Sequence, residues 1–142
     1  MIAKPGIETE WEQNGWECVL RFKDDKVREA IGECASRLVL RTKEGADVEE
    51  AHRVLKEKEY NIGRVRKLLQ TGDAEFVILS CLCAGILDLE YSATAPSYIA
   101  MMNRFPSVGF KRIKNIDYLK SALLLKNGDI LIKNGSTVVF VK

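Results

Sequence analysis

The residues of this sequence that could carry nucleophilic or metal chemistry are four cysteines, Cys18, Cys34, Cys81 and Cys83, and a single histidine, His52. No Cys-x-x-Cys pair occurs, and one histidine supplies little for a zinc site. Cys81 and Cys83 lie inside an apolar run, where burial raises the pKa of a thiol and makes it inert. We therefore expect reduced, packed thiols, an exposed or packed His52, no metal and no cofactor.

The size and composition are those of one globular domain. At 142 residues, with 46% apolar side chains, the chain can bury a core without disulfides or metals. No stretch approaches the roughly 18 apolar residues of a membrane span. The start, MIAKPGIETEWEQNGWE, lacks the charged-then-apolar layout of a signal peptide. We expect a soluble, cytoplasmic protein without a signal peptide or a membrane partner.

Charge is unevenly distributed along the chain. Residues 1–103 hold 14 Lys/Arg and 18 Asp/Glu, whereas residues 104–142 hold 8 and 2. Such a basic segment can meet nucleic acid, an anionic wall polymer or an acidic protein, although a solvated basic face is commoner. It lacks the interleaved aromatic and basic residues of a nucleic-acid platform, so nucleic acid ranks last among these partners.

The elements that must position any site follow from hydrophobic periodicity. Residues 7–22 alternate around Asn14-Gly15, which predicts a hairpin. Helical spacing predicts helices from Asp24 to Thr42 and again after Gly45. Residues 76–87 are apolar but for Ser80 and Gly85, which indicates a buried central helix. A short helix with Pro96 in its first turn follows, and then strands around the Asn134-Gly135 turn.

This order predicts a single α+β domain over residues 1–142. It divides into an N-terminal β-hairpin (1–23), a helical part (24–105) and a β part (106–142). We expect the hairpin and the helices to pack on a small C-terminal antiparallel sheet.

The order of a helix ending in CAGI, a short helix, and LLLKNGDILI before GSTVVFVK resembles the papain-like cell-wall cysteine peptidases and amidases of the NlpC and CHAP type, most closely short phage endolysins. The specific motifs lie in residues 61–86 and 123–141. In that group a cysteine at the start of the central helix is the nucleophile, and a histidine at the start of the second strand is the base.

The resemblance places these two positions on residues of other types. Aligned from Ala84-Gly85-Ile86, the nucleophile falls on Asp73, or on Ala74 with one residue of slip, and the histidine falls on Ser136. Since this chemistry needs a thiolate and an imidazole together, the resemblance implies a catalytically inactive relative of a phage cell-wall hydrolase. Such a relative would be a binding or structural module, in the infected cell or the virion, with a peptidoglycan fragment or a protein as partner.

Two alternatives remain open at this point. The chain is an active peptidoglycan peptidase or amidase whose catalytic pair lies elsewhere or whose nucleophile was replaced by Ala74, or it is a small nucleic-acid-binding or host-antagonist protein. The family sheet would also continue beyond STVVFVK. We therefore expect an uncovered edge that a homodimer or a partner strand covers through residues 137–141.

Overall fold

A computed structural model of the chain describes residues 2–3, 15–45, 48–94 and 96–142. The strands are β1 (Ile2–Ala3), β2 (Cys18–Phe22), β3 (Thr42–Glu44), β4 (Leu69–Thr71), β5 (Phe110–Ile113), β6 (Ile130–Lys133) and β7 (Ser136–Phe140). The α-helices are α1 (Asp25–Leu38), α2 (Val48–Glu57), α3 (Asp73–Cys83), α4 (Tyr98–Arg104) and α5 (Ile116–Leu119). Short 3-10 helices span Val39–Arg41, Ile62–Arg64, Leu87–Thr94 and Phe105–Val108.

The main sheet has five strands in the order β1-β7-β6-β2-β5. Neighbouring strands are antiparallel except β1 and β7, which run parallel. Strands β3 and β4 form a separate parallel pair inside the part that the sequence predicts to be helical. The α+β class is confirmed: the helices pack on a sheet whose C-terminal strands pair antiparallel, and β1 adds one parallel pairing at the edge.

The predicted uncovered edge at residues 137–141 is wrong for residues 139–141, which β1 covers. Strand β7 lies between β6 and β1, with Ile2 opposite Val139 and Ala3 opposite Phe140. The Val141 amide donates to the Ala3 carbonyl at 2.8 Å. A homodimer through residues 137–141 stays a prediction, but the uncovered edge that motivated it is largely occupied by β1.

The N-terminal hairpin is tested only in part. Its first strand, in residues 7–14, lies outside the described residues. Its second strand is β2, which pairs with β5 and β6 and so lies inside the main sheet. Pro96 precedes the N-cap Ser97, whose hydroxyl accepts from the Ala100 amide at 3.1 Å, so Pro96 lies before the first turn of α4.

Helix α3 lies in the middle of the larger core. Phe76, Val77, Ile78, Leu79 and Leu82 are all buried, as the unbroken apolar run predicts. This helix packs against α1 and against β7. Within the described part of the chain, no helix has the length and apolar character needed to cross a membrane.

The turn before β6 fixes the β6–β7 hairpin to α1. Gly128 has φ +91°, and a Cβ there would lie 1.7 Å from the Arg28 carbonyl oxygen, so only glycine fits. The next residue, Asp129, is fully buried and receives two hydrogen bonds from Arg21, at 2.9 Å to Oδ1 and 2.7 Å to Oδ2. The Gly-Asp step is therefore a structural anchor.

Candidate functional site

An open cavity of about 300 Å³ lies where the start of α3 meets the β6–β7 turn. It includes all three positions that the sequence singled out. The lining residues are Gly72, Asp73, Ala74, Glu75, Pro96, Tyr98, Gly135, Ser136 and Thr137.

The first turn of α3 forms one wall of this cavity. Gly72 is the N-cap and offers no side-chain cap, and the first helical bond runs from the Phe76 amide to the Gly72 carbonyl at 3.0 Å. The amides of residues 73–75 thus precede the helical ladder, at its positive end. Asp73 and the buried Glu75 are the acidic side chains of this turn, a placement that the helix dipole favours.

The start of β7 forms the facing wall. The Asn134-Gly135 turn, with Gly135 at φ +87°, returns the chain so that Ser136 pairs with Lys133. The hydroxyl of Thr137 donates to the Leu131 carbonyl at 2.9 Å. That bond engages the Thr137 hydroxyl inside the sheet, whereas Ser136 is half-buried at the cavity.

Tyr98 closes a third side. It is the first residue of α4, and its hydroxyl donates to Glu17 Oε2 at 2.8 Å. This hydrogen bond to a carboxylate raises the pKa of Tyr98. The Tyr98 hydroxyl therefore stays protonated at neutral pH and acts as a donor.

The fold brings Asp73, Ala74 and Ser136 to one cavity, while their roles remain predictions. Sequence reasoning missed Glu75, Tyr98 and Thr137 as lining residues. Glu75 follows Ala74 in the first turn of α3, and Thr137 follows Ser136 at the start of β7. This closeness in sequence was a signal that could have found them. Tyr98 had no such signal, because its position depends on how α4 packs.

The thiols and the imidazole lie away from this cavity. Among the described lining residues there is neither a cysteine nor a histidine. Cys81 is completely buried, which raises its pKa well above the usual thiol value, and burial raises the pKa of Cys83 to about 12. His52 Nε2 lies 3.2 Å from the Tyr60 hydroxyl, and burial lowers the pKa of His52.

Across the described residues, no cluster of three or more histidine, cysteine, aspartate or glutamate side chains is placed to hold a metal ion. The cavity offers instead the backbone amides and the Asp73 carboxylate of the α3 start on one wall, and the Ser136 hydroxyl on the facing wall. This arrangement is suited to hydrogen bonding with a polar ligand.

The chain matches a protein-family model described as an endolysin-like domain over residues 6–142. No curated protein and no solved structure matches the chain significantly.

Proposed function

Because the chain belongs to the endolysin-like domain family, we propose that it is a catalytically inactive relative of a phage cell-wall hydrolase that binds a cell-wall fragment in the cavity without cleaving it. The observation that carries this proposal is the composition of the cavity. Asp73 and Ala74 occupy the helix start, and Ser136 occupies the facing strand.

The residues present are poor substitutes for a cysteine–histidine pair. A carboxylate such as Asp73 is a weak nucleophile toward amides, and an alanine has no reactive group. Ser136 has no nitrogen that titrates near neutral pH, so it cannot act as general base. Because nucleophile and base act as a unit, loss of both leaves only positioning and oxyanion stabilisation.

The same residues are suited to holding a peptide-like ligand. The Asp73 carboxylate and the Ser136 hydroxyl offer acceptors for N–H groups, and the positive end of α3 attracts carbonyl or carboxylate oxygens. The volume of about 300 Å³ lies at the lower end of the range for small-molecule sites. A short stretch of a peptidoglycan stem peptide has the size and polarity that this cavity accommodates.

Absence of hydrolysis is tested with purified Gram-positive cell walls. We expect neither a fall in turbidity nor released peptides above a buffer control. Any cleavage by the unchanged chain would overturn the inactive assignment. Cleavage that persists in the Cys81→Ala/Cys83→Ala double variant would mean that a nucleophile other than these thiols acts. Cleavage lost in that variant would mean that the buried thiols are exposed during turnover.

Binding is tested by cosedimentation with insoluble peptidoglycan. Ser136→Trp fills the cavity and should reduce binding at least about tenfold, since a lost contact of 1.4 kcal/mol gives that factor. Asn103→Trp is the matched control, because it adds the same side chain at an exposed position of α4 outside the cavity lining. Equal binding by the two variants, both folded by circular dichroism, would exclude the cavity as the ligand site.

A further inference from the structure

The connection between β5 and β6 covers the face of the main sheet opposite α3. We call residues 111–126, which include the end of β5, helix α5 and the following turns, the outer cap. Its inner side contributes Ile113, Ala122 and Leu125 to a second core cluster, in which they pack with Val19 and Leu131 of the sheet. The cap is therefore anchored by burial on one side.

Hydrogen bonds hold the turn of the cap in place. The Arg21 Nη2 group donates to the Leu124 carbonyl at 3.1 Å, and the Leu123 amide donates to Ser121 Oγ at 3.3 Å. The Arg21 guanidinium also lies 5.5 Å from the centre of the Tyr118 ring. The backbone of this turn is thus fixed by contacts that leave the side chains of Leu123 and Leu124 outside.

The outer side of the cap is apolar at three positions within nine residues. Leu123 is 84% exposed, Ile116 is 68% exposed and Leu124 is 43% exposed. Scattered single exposed apolar residues are ordinary, but three on one short connection are a feature that calls for a partner. Ile116 and Lys120 are four residues apart across the single turn of α5, which places them on one face.

The cap is also strongly basic. Residues 111–126 contain five Lys/Arg and one acidic residue, Asp117. Asp117 pairs with Lys120 at 3.1 Å. Arg112 pairs with Leu20 of the α3-side core and therefore lies on the other face of the sheet. Lys111 and Lys114 are exposed, and within the described chain no carboxylate lies within ion-pair distance of either. A cation-rich surface of this kind attracts anions.

We propose that the outer cap binds the surface of an anionic lipid bilayer, with Leu123, Leu124 and Ile116 inserted among the head groups and the neighbouring lysines on the lipid phosphates. A soluble polyanion would pair with the lysines but would leave the leucine side chains exposed to water, whereas a bilayer contacts both. Leu123 and Leu124 lie in a turn and Ile116 lies in the single turn of α5, all exposed on the same connection as the lysines. Exposed apolar side chains among lysines favour insertion into an anionic bilayer over seating a protein segment. The expectation of no membrane partner rested on the lack of a spanning segment, which a peripheral contact does not require.

This surface is separate from the cavity, because α3 and the outer cap lie on opposite faces of the sheet. The test is cosedimentation of the full chain with vesicles of phosphatidylcholine and phosphatidylglycerol, and with vesicles of phosphatidylcholine alone. We expect binding to the anionic vesicles at low salt, weaker binding at high salt, and little binding to the neutral vesicles.

Leu123→Asp should weaken vesicle binding at least about tenfold, because it replaces an inserting side chain with an anion. Leu87→Asp is the matched control, since Leu87 is 57% exposed but adjoins Asp88, outside the cap; it should bind as the unchanged chain does. No binding to anionic vesicles would overturn the proposal. Equal vesicle binding by Leu123→Asp and the unchanged chain would also overturn it. In that case the lysines alone would account for binding, and the chain should then bind polyphosphate equally well.

Discussion

At the scale of single residues, the Gly128-Asp129 step and Ser136 differ in what they contact, although the sequence singled out both in its C-terminal segment. Gly128 and Asp129 are required by packing, since Gly128 contacts the Arg28 carbonyl of α1 and the buried Asp129 carboxylate accepts hydrogen bonds from Arg21. Ser136 has no such packing constraint visible and lies at a cavity. Gly128 and Asp129 thus hold the hairpin in place, whereas Ser136 lines the cavity.

Gly128→Ala should lower the free energy of unfolding by about 3–5 kcal/mol, because it combines a left-handed backbone with a clash against a carbonyl oxygen. Gly135→Ala is the control: Gly135 has a similar φ of +87°, but nothing lies within 4 Å of the added Cβ. Its cost should be about 1–2 kcal/mol. Urea unfolding of both variants measures the difference, and equal costs would contradict the packing argument.

Asp129→Asn should lower the free energy of unfolding by about 3–5 kcal/mol, because it removes the charge that Arg21 pairs with inside the protein. The Asp129 side chain is 0% exposed and that of Arg21 is 16% exposed. Asp117→Asn breaks the pair with Lys120, in which both side chains are more than half exposed, and should cost less than about 1 kcal/mol. Chemical denaturation that ranks the two variants in the reverse order would refute this assignment.

At the scale of elements, helix α3 is the component on which both the core and the cavity depend. Its middle is fully buried, whereas its first turn reaches the cavity. A change in the middle should therefore act on stability, and a change at the start should act on binding.

Val77→Asp should cost about 3–5 kcal/mol of unfolding free energy through an unpaired buried charge. Leu87→Asp introduces the same side chain at a 57% exposed position shortly after the helix and should stay within about 0.5 kcal/mol. Thermal melts provide the comparison. An unchanged melting temperature for Val77→Asp would mean that α3 is not packed as described.

Helix α2 carries a pH dependence through His52. Burial holds the pKa of His52 below the ordinary histidine value of about 6.5, so between that value and the folded pKa the unfolded chain binds more protons than the folded one. Stability from this group is present above pH 6.5 and is lost as pH falls through the folded pKa. His52→Phe keeps a ring beside Tyr60 and should flatten the decline in melting temperature between about pH 7.5 and pH 5.5. An unchanged slope would show that other groups cause the decline.

The elements that sequence reasoning found are those with strong local patterns. The periodicity of α1, the apolar run of α3 and the Asn134-Gly135 turn each indicate their structure within a dozen residues. The pairings of β1 with β7 and of β3 with β4 have no such signal, because they join two- and three-residue strands that are distant in sequence. The order of the motifs singled out Asp73, Ala74 and Ser136, which line one cavity, while their roles stay a prediction. Tyr98 was missed because tertiary packing alone brings it to that cavity.

At the scale of the whole molecule, β1 protects the outer edge of β7. Deletion of residues 1–3 should expose part of that edge and promote pairing between chains. We expect a concentration-dependent dimer in sedimentation velocity for the shortened chain, and a smaller dimer fraction for the full chain under the same conditions. Identical sedimentation of the two chains would remove the protective role of β1.

The order of strands in the sheet also bears on how the chain folds during its synthesis. In the sheet, strands β7 and β6 lie between β1 and β2. Both β6 and β7 come from residues 130–140, near the end of the sequence. Helix α3 ends at Cys83 and is therefore translated well before the strand β7 that buries it. At about 5–20 residues per second the synthesis of the intervening chain takes roughly 3–11 seconds, and during this time the apolar helix lacks the strand that buries it. The nascent chain should consequently depend on chaperones that bind exposed apolar segments.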